Sequence, residues 1–410
     1  MRSSEESGER RAEGGALKDI ARAALVTVLF LAMLEGLLLL AGIRFEGSFY
    51  RPDRELGYAL RPNAHGWNVN ENLNYFRVNS DGLADSEHSP QRPANVIRIA
   101  IVGDSVSEAK QVRRDQAYWA VMERVLNSRL DGGRRVEVIN FGVAGYSLAQ
   151  EALVLGSGRL WKYDPQIILL SGTIESFLLR STRQFSPNTP AEHVPFYIPG
   201  NGRLEPDAET RRQRAAFNAN RLNEWFGDLM NASRLLALCN DGVKKSSQEI
   251  KALAGKQAPA NAYQESDAFL GPATPDLRTA WETSEALILW SNEEARQHHA
   301  ELWLFTLDMP EQVDPDPKVT AAFDHSLGIT DPFISDRLLA EFAAREGVPH
   351  GTLAPELQAF AEKNKIVLHG FPGTPRNAGH WNAAGHRAAG ELIARQLLSV
   401  RNFGLGSFPP

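Results

Sequence analysis

From residue 23 to residue 43 the chain is apolar on every face of a helix, and Glu35 is the only charged side chain in the run. About twenty such residues are what an α-helix needs to cross a hydrocarbon core. The competing readings are a cleaved signal peptide and a buried core helix. The run is longer than the apolar part of a signal peptide and shows no obvious small-residue cleavage site, and core helices rarely read as apolar all round for this length. We therefore expect a cytoplasmic tail at 1–22 and an uncleaved transmembrane anchor at 23–43. A lone carboxylate near the centre of a span costs about 3 kcal/mol, less when protonated or partnered, and the leucines around Glu35 outweigh it. Arg2, Arg10, Arg11, Lys18 and Arg22 precede the span, against Arg44 and Arg51 soon after it. Counting bases in this way places the N-terminus in the cytoplasm and the main domain in the periplasm or outside the cell.

The rest of the chain has the balance of a globular protein, with a formal net charge of -6 over 410 residues. With no basic stretch interleaved with aromatics, it lacks what releases counterions from phosphates, so no nucleic-acid partner is expected. Cys239 is the single cysteine, which excludes an intrachain disulfide and thiolate clusters. Neither metal-ligand spacing nor a glycine-rich nucleotide fingerprint is present, so we expect no metal and no cofactor.

Residues 44–95 are rich in Asn, Gly and Pro with short alternations, as in Tyr75-Phe76-Arg77-Val78-Asn79, and read as a lead-in segment of edge strands and turns packed on the main domain. At Val96 the texture changes. A β-rich run at 96–102 stops at Gly103-Asp104-Ser105 and gives way to a helical pattern reaching Leu130. Further strands are expected at 136–140, 166–171 and 301–307, with a helix containing 150–160 before the third. Strands alternating with helices predict a three-layer α/β domain over 96–400, a mostly parallel sheet with helices on both faces, flavodoxin-like, with its chemistry at the carboxyl ends of the strands. A polar, helix-patterned stretch at about 180–280, amphipathic over 218–238, reads as an insertion, and 401–410 as a C-terminal tail.

Ser105 falls at the end of the first core strand, where a hydroxyl is exposed and helix-start amides can donate to an oxyanion. Serines also cap helices at such places. Near the other end, Gly379-His380-Trp381-Asn382-Ala383-Ala384-Gly385-His386 offers two imidazoles ahead of an amphipathic helix. His380, in the loop, is the better candidate base, whereas His386 at the helix start reads as packing or capping. His298 and His299 sit side by side on a polar helix and need no special role.

Gly103-Asp104-Ser105, the block Asn140-Phe141-Gly142-Val143-Ala144-Gly145 and the block 380–386 resemble, in order, the motifs of SGNH/GDSL hydrolases. Glu55 to Tyr58 and Asn79 to Leu83 are similar to segments that precede the nucleophile strand in membrane-anchored bacterial members. The resemblance covers roughly residues 50–398. It implies Ser105 as nucleophile, His380 as base, and an oxyanion hole drawn from the Ser105 and Gly142 amides.

The sequence departs from the family in two places. Where the family has Gly-Asn-Asp, this chain reads Ser171-Gly172-Thr173-Ile174-Glu175-Ser176, so that either Ser176 is a substitute donor or that donor is lost; alternatively Glu175 faces the site. Three residues before His380, in place of the aspartate, stands Asn377, whose amide can orient the ring but supplies no charge. Asp324 and Asp331 are candidate replacements from elsewhere. The leading reading is a membrane-anchored serine esterase or O-acyltransferase acting through Ser105 and His380 on an acyl ester, plausibly acetyl on an envelope glycan. The alternative is a noncatalytic SGNH-fold protein that binds glycans or assists envelope assembly.

Overall fold

The structure is a computed structural model. It describes residues 2–42, 49–130, 133–186, 194–200, 203–219, 225, 232–253 and 264–400. The expected tail at 401–410 lies outside the described residues, as do parts of the insertion.

Helix α1 (Arg2–Leu40) contains the apolar stretch. Within it Lys18–Leu40 is long and apolar enough to cross a membrane, and none of its most apolar window is buried against protein. The lead-in segment then forms two small antiparallel hairpins, β1 (Tyr50–Asp53) with β2 (Gly57–Leu60), and β3 (His65–Asn68) with β4 (Asn74–Arg77).

The main sheet begins with β5 (Val96–Gly103), followed by the short α2 (Ser105–Glu108) and by α3 (Tyr118–Asn127). The helical pattern expected through Leu130 is therefore broken: Ala109 turns left-handed at φ 54° and ends α2 after one turn. Next come β6 (Arg135–Asn140), α4 (Leu148–Gly156), β7 (Ile167–Thr173) and α5 (Ile174–Leu178). The insertion supplies the hairpin β8 (Tyr197–Gly200) and β9 (Arg203–Pro206), then α6 (Ala208–Ala219) and α7 (Arg234–Leu253). Most of the stretch expected to be amphipathic, 218–238, lies outside the described residues; α6 ends within its first residues and α7 starts near its end. After α8 (Pro275–Gln297) the chain returns to the sheet as β10 (Glu301–Leu307). His298 caps α8 and His299 lies beyond it. There follow α9 (Pro317–Leu327), α10 (Ile334–Arg345), β11 (His350–Thr352), α11 (Ala354–Asn364) and α12 (Ala383–Val400).

The five-stranded sheet has the order β11-β10-β7-β5-β6, and all its pairings are parallel. Alternate residues of each strand feed two cores. Ile97, Ile99 and Ile101 join Trp303 and Phe305 on the face covered by α3, α11 and α12. Ala100 and Val102 join Leu170 and Leu304 on the face covered by α4, α8 and α10. Strands buried on both faces read as the near-continuous apolar runs seen in the sequence. Since β6 lies on one side of β5 and β7 on the other, the order reverses at β5, and parallel sheets hold ligands at the carboxyl ends of strands at such a switch point. That end of β5 is Gly103-Asp104-Ser105.

Candidate active site

The turn out of β5 is sterically tight. A Cβ on Gly103 would lie 2.4 Å from both Ser107 Oγ and the Ser171 carbonyl oxygen, so only glycine lets β5 end against β7. Asp104 caps α2, its carboxylate accepting the Val106 N–H at 2.9 Å. The capping role open to a serine here is thus taken by its neighbour, and Ser105 is the first residue of the helix, half-buried. The Ser105 N–H has no acceptor among the described residues. Burial pushes the Asp104 carboxyl above its ordinary value, against the pull of the Arg180 charge, the Val106 N–H, the His380 charge and the Ser176 hydroxyl.

His380 is held by a residue the sequence reading did not single out. Its Nδ1 lies 2.9 and 2.8 Å from the two carboxylate oxygens of Glu71, and its backbone N–H also points at that carboxylate at 3.4 Å. With Nδ1–H donating to a carboxylate, Nε2 carries the lone pair. Burial alone would raise the Glu71 carboxyl, but the hydrogen bonds and charge of His380, with Lys110 nearby, hold it below the usual carboxylate range. No hydrogen bond joins Ser105 to His380 among the described residues; contacts of this kind often tighten only when substrate is bound. The imidazole is nonetheless near enough to the turn for its charge to act on Asp104.

Glu71 sits at the tip of the β3–β4 hairpin, and the asparagines around it explain why. Asn68 Nδ2 donates to the carbonyls of Asn70 and Asn72 and shapes the turn. Asn72 Nδ2 donates to Gln111 O at 2.8 Å, and Asn74 Nδ2 to Lys110 O and Val112 O. The tip is therefore stapled to the loop leaving α2. Glu71 itself is left-handed, at φ 61°, a conformation that costs an L-residue on the order of 1 kcal/mol and that these bonds offset. Opposite it, Gly379 is also left-handed at φ 74°, and a Cβ there would lie 2.8 Å from Glu71 Oε1. Glycine lets the carboxylate reach the ring.

The loop carrying His380 has a second support. His369 sits between the Asp308 carboxylate, 2.7 Å from Nε2, and the Gly379 carbonyl, 2.8 Å from Nδ1. Trp381 Nε1 donates to the other Asp308 oxygen at 2.9 Å. His386 is buried and stacked on Tyr118, and its Nδ1 accepts the Tyr118 N–H. Burial first, then the His380 and His369 charges, push it down to about 3, so it is neutral and packs, as its position at the helix start suggested.

Three expectations change. The Gly142 N–H donates to Asn140 Oδ1 at 2.9 Å, so it is not open to an oxyanion. Gly142 is instead a contact glycine, since a Cβ would lie 2.4 Å from Ser107 Cβ. Further along the same loop the Ala144 N–H is taken by Glu108 at 2.7 Å and its carbonyl by the Tyr58 hydroxyl. The exposed Gly145 N–H has no acceptor among the described residues. Second, Ser176 is fully buried and its hydroxyl donates to Thr173 O at 3.0 Å, which removes it as a substitute donor; Glu175 pairs with Arg180 at 2.8 Å. Third, Asn377 donates to Pro310 O at 2.7 Å and does not touch His380. Asp331 pairs with Arg337, and neither it nor Asp324 contacts the imidazole among the described residues.

No protein-family model matches the chain, and no curated protein does. Among solved structures it is similar to TesA, with a TM-score of 0.35, 12% identity, 74% of this chain and 99% of that one covered. It is similar also to the acetyl xylan esterase AlAXEase, with a TM-score of 0.37, 14% identity and coverage of 74% and 99%. For a lipolytic protein of the G-D-S-L family from Desulfitobacterium hafniense the figures are 0.33, 10%, 73% and 99%. Of these three, one is named as an acetyl xylan esterase and one as a lipolytic protein of the G-D-S-L family.

Proposed function

We propose that this chain is a membrane-anchored serine hydrolase or O-acyltransferase of the SGNH type, in which Ser105, His380 and Glu71 form the catalytic triad. The observation that carries the reading is the charge-assisted hydrogen bond from His380 Nδ1–H to Glu71, which fixes the ring and leaves the lone pair of a candidate base on Nε2. Ser105 Oγ attacks the ester carbonyl carbon while its proton passes to His380 Nε2, and Glu71 stabilises the imidazolium. The carbonyl oxygen takes the negative charge and accepts from the Ser105 and Gly145 N–H groups. Collapse expels the alcohol, which leaves with the proton from Nε2. Water or an acceptor alcohol then attacks the acyl-enzyme, giving its proton to Nε2, and the acid or the new ester departs as Oγ regains a proton. The acetyl xylan esterases among the similar structures make a sugar acetate a reasonable acyl donor.

The noncatalytic alternative draws on the absent aspartate and the absent asparagine; Glu71 supplies a carboxylate in place of the first, and the second has no side-chain substitute in Ser176. The test is labelling of the full chain by a fluorophosphonate probe. Labelling is expected in the parent, absent in Ser105→Ala, and slowed at least a hundredfold in His380→Ala. Equal labelling of the serine variant would overturn the nucleophile, and an unlabelled parent would favour the binding protein.

A further inference from the structure

Between residues 67 and 75 the sequence alternates strictly. The even positions are Asn68, Asn70, Asn72 and Asn74, and the odd ones are Trp67, Val69, Glu71, Leu73 and Tyr75. A hairpin on a water-soluble domain buries its apolar face and shows water its polar one. This hairpin does the reverse: Asn68 and Asn74 are buried, while Trp67 is 37%, Val69 61%, Leu73 64% and Tyr75 36% exposed. The asparagines are spent on backbone carbonyls of the domain, and the apolar side chains are what the tip presents outward.

What they face follows from where the hairpin is docked. The Trp67 N–H donates to the carbonyl of Gly42 at 2.9 Å, two residues past the end of α1. A Cβ on Gly42 would touch the Trp67 indole at 3.4 Å and the Tyr75 ring at 4.0 Å. Trp and Tyr are the side chains that settle at headgroup level where a span leaves the bilayer. On the same end of α1 the Glu35 carboxylate accepts from Ser233 Oγ, Arg234 N and Leu235 N at 2.7, 2.7 and 2.9 Å. The one charge in the span is thereby partnered by the start of α7, about 8 Å below Leu40 by helical rise. Close to that contact Leu236 and Leu238 are exposed as well. Exposed apolar side chains thus occur at the end of the span, on the hairpin and on the first turns of α7.

We propose that the tip of the β3–β4 hairpin lies in the interface of the bilayer that α1 crosses, so that the Glu71–His380 pair works at headgroup level on esters carried by membrane-embedded molecules. The proposal rests on α1 spanning a membrane and, for the substrate, on the hydrolase reading of Ser105.

The test uses the full chain in phospholipid nanodiscs with Cys239→Ser as background. Nitroxide labels at Val69→Cys and Leu73→Cys are expected to collide more with oxygen than with a water-soluble nickel chelate, and a label at Glu346→Cys the reverse. Labels at 69 and 73 as accessible to nickel as the one at 346 would overturn membrane contact. For substrate, the double variant Val69→Asp/Leu73→Asp is expected to hydrolyse soluble p-nitrophenyl acetate within twofold of the parent. On the acetate of a long-chain alcohol embedded in the disc it is expected to fall at least tenfold. Equal turnover of the embedded ester would overturn the substrate assignment. A parent inactive on both esters would overturn the hydrolase reading and the substrate with it, while the label depths decide membrane contact on their own.

Discussion

Glu71 reaches His380 across 309 residues of sequence, and the bond asks for both a charge and a geometry. Replacing the charge while keeping the shape, Glu71→Gln, is expected to lower kcat/KM for a soluble ester by about 10²–10⁴-fold, since the corresponding exchange in a serine protease triad costs about 10⁴. Gly379→Ala tests the geometry, because its Cβ would press on the carboxylate from 2.8 Å in a left-handed backbone; activity should fall while the Nδ1 partner remains chemically intact. The carboxyl is depressed in the folded protein, so its contribution to stability is present above the unfolded value and is lost as pH falls through the folded one. Urea midpoints measured from pH 7 to pH 3 should accordingly fall less steeply in Glu71→Gln than in the parent. Asp336 runs the other way. Burial, with the Asp308 charge adding to it, raises its carboxyl to about 7, against the hydrogen bond from Gln312 Nε2 at 2.8 Å. A carboxyl raised on folding costs stability progressively from the unfolded value near 4 up to about 7. Asp336→Asn is therefore expected to raise Tm at pH 8 more than at pH 5.

Among the elements, the hairpin that carries Glu71 is held to the domain by amides. Asn74→Ala removes two side-chain bonds to buried carbonyls and should cost about 1–3 kcal/mol, with hydrogen exchange at 65–77 rising more than in the sheet. The elements also differ in how plainly the sequence displays them. β5, β7 and β10 are mostly apolar runs buried on both faces, a pattern that needs no tertiary context, and β6 at the edge alternates Val136 and Val138 with Arg135 and Glu137. β11 is His350, Gly351 and Thr352 at the sheet edge, too short and too polar to stand out. Ser105 and His380 belong to local motifs and can be read as a pair. Glu71 belongs to no motif; the available signal was the alternation of asparagine with apolar residues around a lone acid, in a stretch read as edge strands and turns. Gly142 failed as an amide donor because Asn140 folds back on it from two residues away, a choice between side-chain rotamers that spacing does not encode. Ser176 was misplaced for a related reason: its place in the block after the third strand says nothing about burial.

On the scale of the whole molecule, α1 and the proposed site share a structural element. α1 ends against Trp67 and Tyr75, the hairpin of those residues turns at Glu71, and Glu71 holds the imidazole. A tether that only kept the domain near a membrane would need no such contact, since a flexible linker of the same length serves as well. The layered α/β domain has its two cores independent of α1, so a chain starting at residue 49 is expected to fold, with the sheet as protected from hydrogen exchange as in the full protein. Without Gly42 to receive the Trp67 N–H, the hairpin loses a support on its β3 edge. Exchange should quicken at 65–77, and turnover of a soluble ester should fall severalfold through kcat with KM little changed, because the imidazole is less well oriented while the substrate contacts remain. If exchange at 65–77 and kcat both match the full chain, the helix is a tether and nothing more. Restoration of kcat when the shortened chain is bound to vesicles would instead show that the bilayer interface alone can hold the hairpin in place.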